Sequence, residues 1–306
     1  MSPILAAALF AMFLWWFATG AIFYLVGRSA RAHRLSLLAA SGLALAALVA
    51  IFLTRDIPGQ AAAYAAFTAA VVLWGWHELT FLTGVLTGPR RTPCPAGCGG
   101  WRHFRHGIEA LLYHEAAILL TAGLLAAMSW GGATATALWT FVILWAMRIS
   151  AKLNLHLGVL NTAADLLPPH LRYMQSFFKV RAFNPLFPVS VLLATVLTVW
   201  LAMAADAAPA GSGAETAYAL MATLAALALI EHWAMVLPVP IEALWRWSLR
   251  GRQNSANVSH EDGSHPGPAV TALPNPPNQD KPEGPGLELA ATPPFRVIGS
   301  TTVKGG

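Results

Sequence analysis

Histidine and glutamate are neighbours at three places inside apolar stretches of this chain, and these pairs are the residues best suited to chemistry. The pairs are His77–Glu78, His114–Glu115 and Glu231–His232. Another apolar stretch carries Arg148, Lys152 and His156. Imidazole and carboxylate groups are ligands for iron or zinc, and a histidine can also bind the central metal of a tetrapyrrole. The sequence therefore offers a candidate cofactor site.

Two interpretations of these residues stay open. In the first, the candidate axial ligands are His77, His114 and His232, supported by a polar layer of Glu78, Glu115, Arg148, Lys152, His156 and Glu231. In the second, the charges only form a salt-bridged network that holds helices together. Neighbouring residues on a helix point about 100° apart, and the Glu-x-x-His motif of diiron bundles is absent from these pairs. No metal ligand or catalytic residue is assigned on this basis.

The elements that carry these residues are predicted to be transmembrane helices. Apolar residues make up 56% of the 306 positions and charged residues only 11%, too little polar material for a soluble surface. A helix needs roughly 20 apolar residues to cross a bilayer, and continuous runs reach that length. The fold class is predicted as an all-α, polytopic membrane bundle of about seven helices. The predicted spans are 3–26, 35–53, 61–86, 107–128, 133–157, 185–205 and 214–237.

Arginine and lysine are concentrated in alternate loops between these spans, whereas the opposite loops contain only Arg55. Cytoplasmic loops of membrane proteins carry the excess of basic residues, so we expect a periplasmic N-terminus and a cytoplasmic C-terminus in a bacterial inner (cytoplasmic or intracytoplasmic) membrane. Since topology accounts for the basic residues, we expect no nucleic-acid partner. With this orientation, the polar residues inside the spans lie roughly 10–16 Å from the cytoplasmic boundary and can form one layer.

The loops and the tail suggest further features. Cys94 and Cys98 form a CPAGC stretch in a basic loop, a weak metal or redox signal that is better explained by ordinary thiols. Segment 171–180, in a long connection, and segment 244–250, rich in Trp and Arg, are predicted to be short interfacial helices. Residues 1–250 are predicted to form the transmembrane domain, and 251–306, rich in Pro and Gly, a disordered cytoplasmic tail.

Several long segments resemble the PuhE family of photosynthetic complex assembly proteins from purple photosynthetic bacteria. The likeness covers most of residues 1–250 and lies in WHELTFLTGVLTGPRRTPCP from Trp76, LLYHEAAILL from Leu111, LWAMRISAKLNLHLGVLN from Leu144, LPPHLRYMQSFFKVRAFNPLFPVSV from Leu167 and EHWAMVLPVPIEALWRW from Glu231. The resemblance implies a role in assembling the reaction centre and light-harvesting complex, or in supplying bacteriochlorophyll to them. It supplies no catalytic residues.

Three functions are therefore considered. The first is a non-enzymatic membrane assembly factor that binds or delivers bacteriochlorophyll or a precursor through the buried layer. The second is a membrane metal-dependent enzyme acting on a tetrapyrrole or lipid, and the third is a purely structural scaffold. The expected partners are the lipid bilayer, reaction-centre or light-harvesting subunits and other assembly factors.

Overall fold

The computed structural model describes residues 2–237, 241–245 and 247–248. Seven helices there are long and apolar enough to cross a membrane, which confirms the all-α, seven-helix prediction. They are α1 (Pro3–Val26), α2 (Ala30–Thr54), α3 (Gln60–Leu82), α4 (Gly100–Ser129), α5 (Thr136–Leu157), α6 (Leu186–Ala207) and α7 (Gly213–Ala234). The predicted tail, 251–306, lies outside the described residues, and the membrane orientation of the termini remains a prediction.

Both helix boundaries around the connection between α3 and α4 differ from the prediction. Helix α3 ends at Leu82 rather than at residue 86, because the N–H groups of Val85 and Leu86 both bond the Thr80 carbonyl and close the chain into a turn. Helix α4 begins seven residues earlier than predicted, at Gly100. Its first two turns are polar, so hydropathy could not distinguish them from the preceding loop.

Helices α3 and α7 occupy the centre of the bundle. The most apolar window of α3 is 67% buried and that of α7 is 50% buried, whereas α1, α2, α4 and α6 reach 17% or less. Exposed leucine, valine and phenylalanine side chains cover the outer helices and suit contact with lipid. On α3, buried alanines let neighbouring backbones approach closely, a common basis of helix packing in membranes.

The connection from α3 packs closely against the backbone of α4. The His114 N–H donates to the Thr87 carbonyl at 2.9 Å, and the Arg90 N–H donates to the Glu109 carbonyl at 3.3 Å. Gly88 lies between these bonds, where an added Cβ would clash with the Glu109 carbonyl oxygen. Only glycine fits this approach, and the loop therefore fixes the part of α4 that carries the predicted site residues.

The long connection between α5 and α6 contains a 3₁₀ helix, Pro169–Phe177, within the segment predicted to be interfacial. Its apolar residues Leu171, Met174 and Phe177 are buried against the chain's own helices. They are thus not available to a partner or to lipid. The chain uses this segment to cover one end of the bundle.

The Trp-rich segment after α7 packs on the middle of α1. The Trp16 indole donates to the Leu244 carbonyl at 3.1 Å, and the Trp245 indole donates to the Trp16 carbonyl at 3.2 Å. Trp16 lies ten residues before Val26, the end of α1, or about 15 Å along the helix axis. These contacts hold the described part of segment 244–250 against α1, and its predicted position at the headgroup level stays a prediction. Residues 246, 249 and 250 lie outside the described residues.

Candidate functional site

Helix α5 supplies the cations of two ion pairs that join it to α3 and α4. The Arg148 guanidinium donates to Glu78 Oε2 at 2.8 Å, and the Lys152 ammonium donates to Glu115 Oε1 at 2.6 Å. Arg148 and Lys152 are four residues apart and share a helix face, where they would repel each other without these carboxylates. The two pairs therefore fix the position of α5 between its neighbours.

Trp145 completes the pairing at Glu115. Its indole N–H donates to Glu115 Oε2 at 3.1 Å, so both carboxylate oxygens have a donor. Trp145 precedes Lys152 by seven residues, which is two helical turns along the same face. Trp145 is absent from the predicted site residues, and its spacing from Lys152 is the signal that could have identified it.

His77 and His114 form a separate imidazole pair between α3 and α4. The two side chains are 1% and 0% exposed, and their ring centroids lie 6.4 Å apart. His77 Nε2 lies 2.9 Å from Thr121 Oγ1, and the His114 ring packs against Phe81. Among the described residues, His77 Nδ1 and both ring nitrogens of His114 have no hydrogen-bond partner. Buried polar atoms are usually bonded, so this pair is unusual.

Helical geometry separates the imidazoles from the ion pairs. His77 faces α4 while the next residue, Glu78, faces Arg148 on α5. On α4, His114 faces α3 while Glu115 faces Lys152. The roughly 100° between neighbouring residues produces this division. The polar residues thus meet as two adjoining groups, and no His–Glu sequence pair converges on one point.

His232 uses both of its ring nitrogens inside the protein. Nδ1 lies 2.8 Å from the Ala228 carbonyl and Nε2 lies 2.8 Å from the Ser150 hydroxyl. A carbonyl can only accept, so Nδ1 carries the proton and Nε2 accepts from Ser150. His232 therefore links α7 to α5.

His156 lies apart from the ion pairs. It comes eight residues after Arg148 on α5, or about 12 Å along the axis. Its ring stacks on His103 of α4 with centroids 4.9 Å apart. The structure therefore brings His156 to the end of the bundle where α4 begins, together with residues that the prediction had not grouped with it.

The enclosed imidazoles do not fit a tetrapyrrole in this arrangement. An axially ligated macrocycle needs open space beside the ligating nitrogen, whereas His77, His114 and His232 are at most 1% exposed. The described residues of the polar layer also do not bring three metal-ligand atoms close together. Among the described residues, three ligand atoms within 4.8 Å of one another occur at Cys94, Cys98 and His106, outside this layer. The roles of these histidines as ligands stay predictions.

One flank of the polar layer is open. The Arg148 side chain is 43% exposed although its partner Glu78 is only 8% exposed. Glu231 is also exposed on α7, close enough to interact electrostatically with Arg148. Charges inside a membrane usually face the bundle interior or a partner, because exposing them to lipid costs roughly 2.5–3.5 kcal/mol on insertion scales. We call Glu78, Arg148 and Glu231 the charged flank.

Comparisons with known proteins show the family of this chain. A family model described as "Protein of unknown function (DUF3623)" matches residues 1–256. The chain is 38% identical over 259 residues to a Rhodobacter capsulatus protein named "Uncharacterized 30.4 kDa protein in puhA 5'region", covering 83% of this chain and 94% of that protein. No solved structure matches. From the length of the family match and the identity to this relative, the chain belongs to the DUF3623 family.

Proposed function

We propose that this protein is a membrane assembly factor for the photosynthetic reaction centre and light-harvesting complex, acting by docking other membrane subunits. The charged flank is the observation that carries the proposal. The resemblance to PuhE proteins supports it, and so does the name of the Rhodobacter capsulatus relative, which refers to puhA and shares the puh designation.

The exposed charges favour a protein partner on physical grounds. Besides Glu115, which is paired with Lys152, Glu78 and Glu231 act on the guanidinium of Arg148. With Glu78, Glu231 and Arg148 all ionised, the flank has one negative charge in excess. A transmembrane helix that presents a cation or a hydrogen-bond donor would satisfy it, since polar side chains are frequent contacts between membrane helices. Lipid tails offer no such group.

Bacteriochlorophyll binding is a second candidate, favoured by the unpartnered ring nitrogens of His114. Because this residue is completely buried, a pigment could reach it only after α3 and α4 separate. The absorption spectrum of the protein purified in mild detergent tests this role. Pigment that is present in the wild type and lost in His114→Ala would support it, and a colourless wild type would count against it. The enzyme alternative gains no further support, because the described residues of the layer gather no metal ligand set.

The docking proposal is tested in the native host by replacing the chromosomal gene with variants. Glu231→Gln removes one charge of the flank while leaving the Glu78–Arg148 pair intact. Asp206→Asn is the matched control, because it neutralises an exposed carboxylate near the opposite end of the bundle. We expect Glu231→Gln to lower the near-infrared absorption of the assembled complexes, although the variant protein is present at the wild-type level. Asp206→Asn should leave this absorption unchanged. Normal complexes in a strain lacking the protein would refute the proposal.

A further inference from the structure

Four side chains of metal-ligand type converge where the loop after α3 meets the first turns of α4. Cys94 and Cys98 come from the loop, and His103 and His106 come from α4, in the spacing Cys-x3-Cys-x4-His-x2-His. Both cysteines are free thiols that are partly buried, and both histidines are buried. His103 and His106 are three residues apart, so they lie on the same face of the helix.

Three distances between these side chains are close to the edges of a tetrahedral metal site; the ligand atoms of Cys94, Cys98 and His106 all lie within 4.8 Å of one another, and His103 approaches this set at Cys94. His106 Nδ1 lies 3.5 Å from Cys94 Sγ and 3.4 Å from Cys98 Sγ. His103 Nδ1 lies 3.2 Å from Cys94 Sγ. Zinc bonds of about 2.3 Å to sulfur and 2.0–2.1 Å to nitrogen give sulfur–nitrogen edges of about 3.5 Å at tetrahedral angles. The three observed distances lie close to this value.

Hydrogen bonding alone does not explain the convergence. A single imidazole nitrogen has one lone pair or one N–H, and so it makes one good hydrogen bond. His106 Nδ1 nevertheless has two sulfur atoms at nearly equal distances. Cys94 Sγ in turn has two imidazole nitrogens next to it. A cation between Cys94, Cys98 and His106 would satisfy the ligand atoms of these three residues at once.

We propose that Cys94, Cys98 and His106 bind a zinc ion, with His103 as the fourth ligand. Two thiolates and two neutral imidazoles neutralise Zn²⁺, and this ligand set is one that structural zinc sites use. A site with four protein ligands has no position for substrate, so the metal's role is structural. This inference does not depend on the proposed docking function.

The contacts around these four residues indicate that a bound metal would hold one end of the bundle together. The Cys94 N–H donates to Ser176 Oγ at 2.9 Å, which joins the loop to the 3₁₀ helix. His103 contacts the rings of Phe177 and His156. Bound zinc would thus connect the α3–α4 loop to α4 beside the segments that cover this end. The α3–α4 loop, residues 83–99, has few apolar residues of its own, and metals commonly stabilise such segments.

Metal analysis of the full chain, purified in mild detergent without chelator, tests the proposal. We expect about one zinc per chain, and in Cys94→Ser/Cys98→Ser at least about a tenfold lower content. His156→Ala is the matched control, since it removes an imidazole that stacks on the site without ligating, and it should keep its zinc. His103→Ala should lower zinc affinity if this residue is the fourth ligand.

Cobalt substitution keeps the proposal testable even if the cysteine variant fails to accumulate. Wild-type protein loaded with Co²⁺ alone should give a thiolate-to-cobalt charge-transfer band and the visible bands of tetrahedral cobalt. A chain without metal after incubation with zinc, or one that lacks the thiolate band with cobalt, would overturn the proposal. So would unchanged zinc content in the cysteine variant, or iron with inorganic sulfide in place of zinc.

Discussion

Replacing Lys152 by methionine should destabilise the bundle strongly, and by an amount that depends on pH. The variant leaves the Glu115 carboxylate, whose side chain is 21% exposed, with only the Trp145 indole as partner. Removing one member of a buried ion pair costs about 3–5 kcal/mol, and since this pair is only partly buried we expect the lower end of that range. Protonation of Glu115 limits this cost. An ordinary glutamate titrates near pH 4.3, so neutralising it at pH 7 requires about 3.7 kcal/mol.

The sign of the pH dependence follows from proton uptake. At pH 7 the folded variant either holds an unpaired charge or takes up a proton that the unfolded chain does not bind, and both reduce stability. At pH 5 protonation requires only about 1 kcal/mol, so the loss of stability relative to the wild type should shrink by up to about 2.7 kcal/mol. The stability of Lys152→Met is thus expected to approach that of the wild type as the pH falls.

The assay is reversible unfolding by SDS in mixed micelles, measured at both pH values for four proteins. They are the wild type, Lys152→Met, Glu115→Gln and the double variant. The double variant should lie within about 1 kcal/mol of the wild type, because it contains no unpaired charge. A neutral effect of Lys152→Met at pH 7, a loss that does not change with pH, or additive effects in the double variant would each refute the assigned pairing.

Three further predictions concern packing. Gly88→Ala should lower the free energy of unfolding by about 1–3 kcal/mol through its clash with the Glu109 carbonyl, whereas Gly42→Ala, which meets no atom within 4 Å, should not destabilise α2. Gly20→Leu should displace the segment that follows α7, because a side chain at this position would clash with the indole of Trp247. Limited proteolysis would detect the released segment. His114→Leu should keep or raise stability in the same SDS assay, because it removes two unpartnered buried nitrogens. A loss of stability larger than that expected from replacing an imidazole by a leucine side chain would instead indicate that His114 has a partner.

The polar residues of the layer could be identified from the sequence, but their contacts could not. Charges inside apolar stretches are rare, and so they are visible without a structure. Whether Glu115 pairs with Lys152 or with Arg148 depends on how each helix is rotated about its axis. The rotation of a helix about its axis depends on its packing against all neighbouring helices, and the sequence of the helix itself does not reveal it. The roles of Trp145 and Ser150 were missed for the same reason.

The Cys/His cluster marks a second limit of sequence reasoning. In the sequence, the CPAGC stretch favours ordinary thiols because a zinc site needs further ligands with recognisable spacing. The structure places His103 and His106 beside the cysteines because α4 begins at Gly100, before its apolar run. A hydropathy-based boundary at residue 107 placed both histidines in the loop, where their common helix face was not apparent.

The sequence alone determined the class and the number of helices, since the length and apolarity of each span are local properties set by the thickness of the bilayer. It also determined which ionisable residues lie within the spans. Only the tertiary structure decided that the imidazoles and ion pairs separate, that Arg148 and Glu231 remain open on one flank, and that two cysteines meet two histidines. These features depend on helix rotation and on the path of the α3–α4 loop, which arise from contacts between residues distant in the chain.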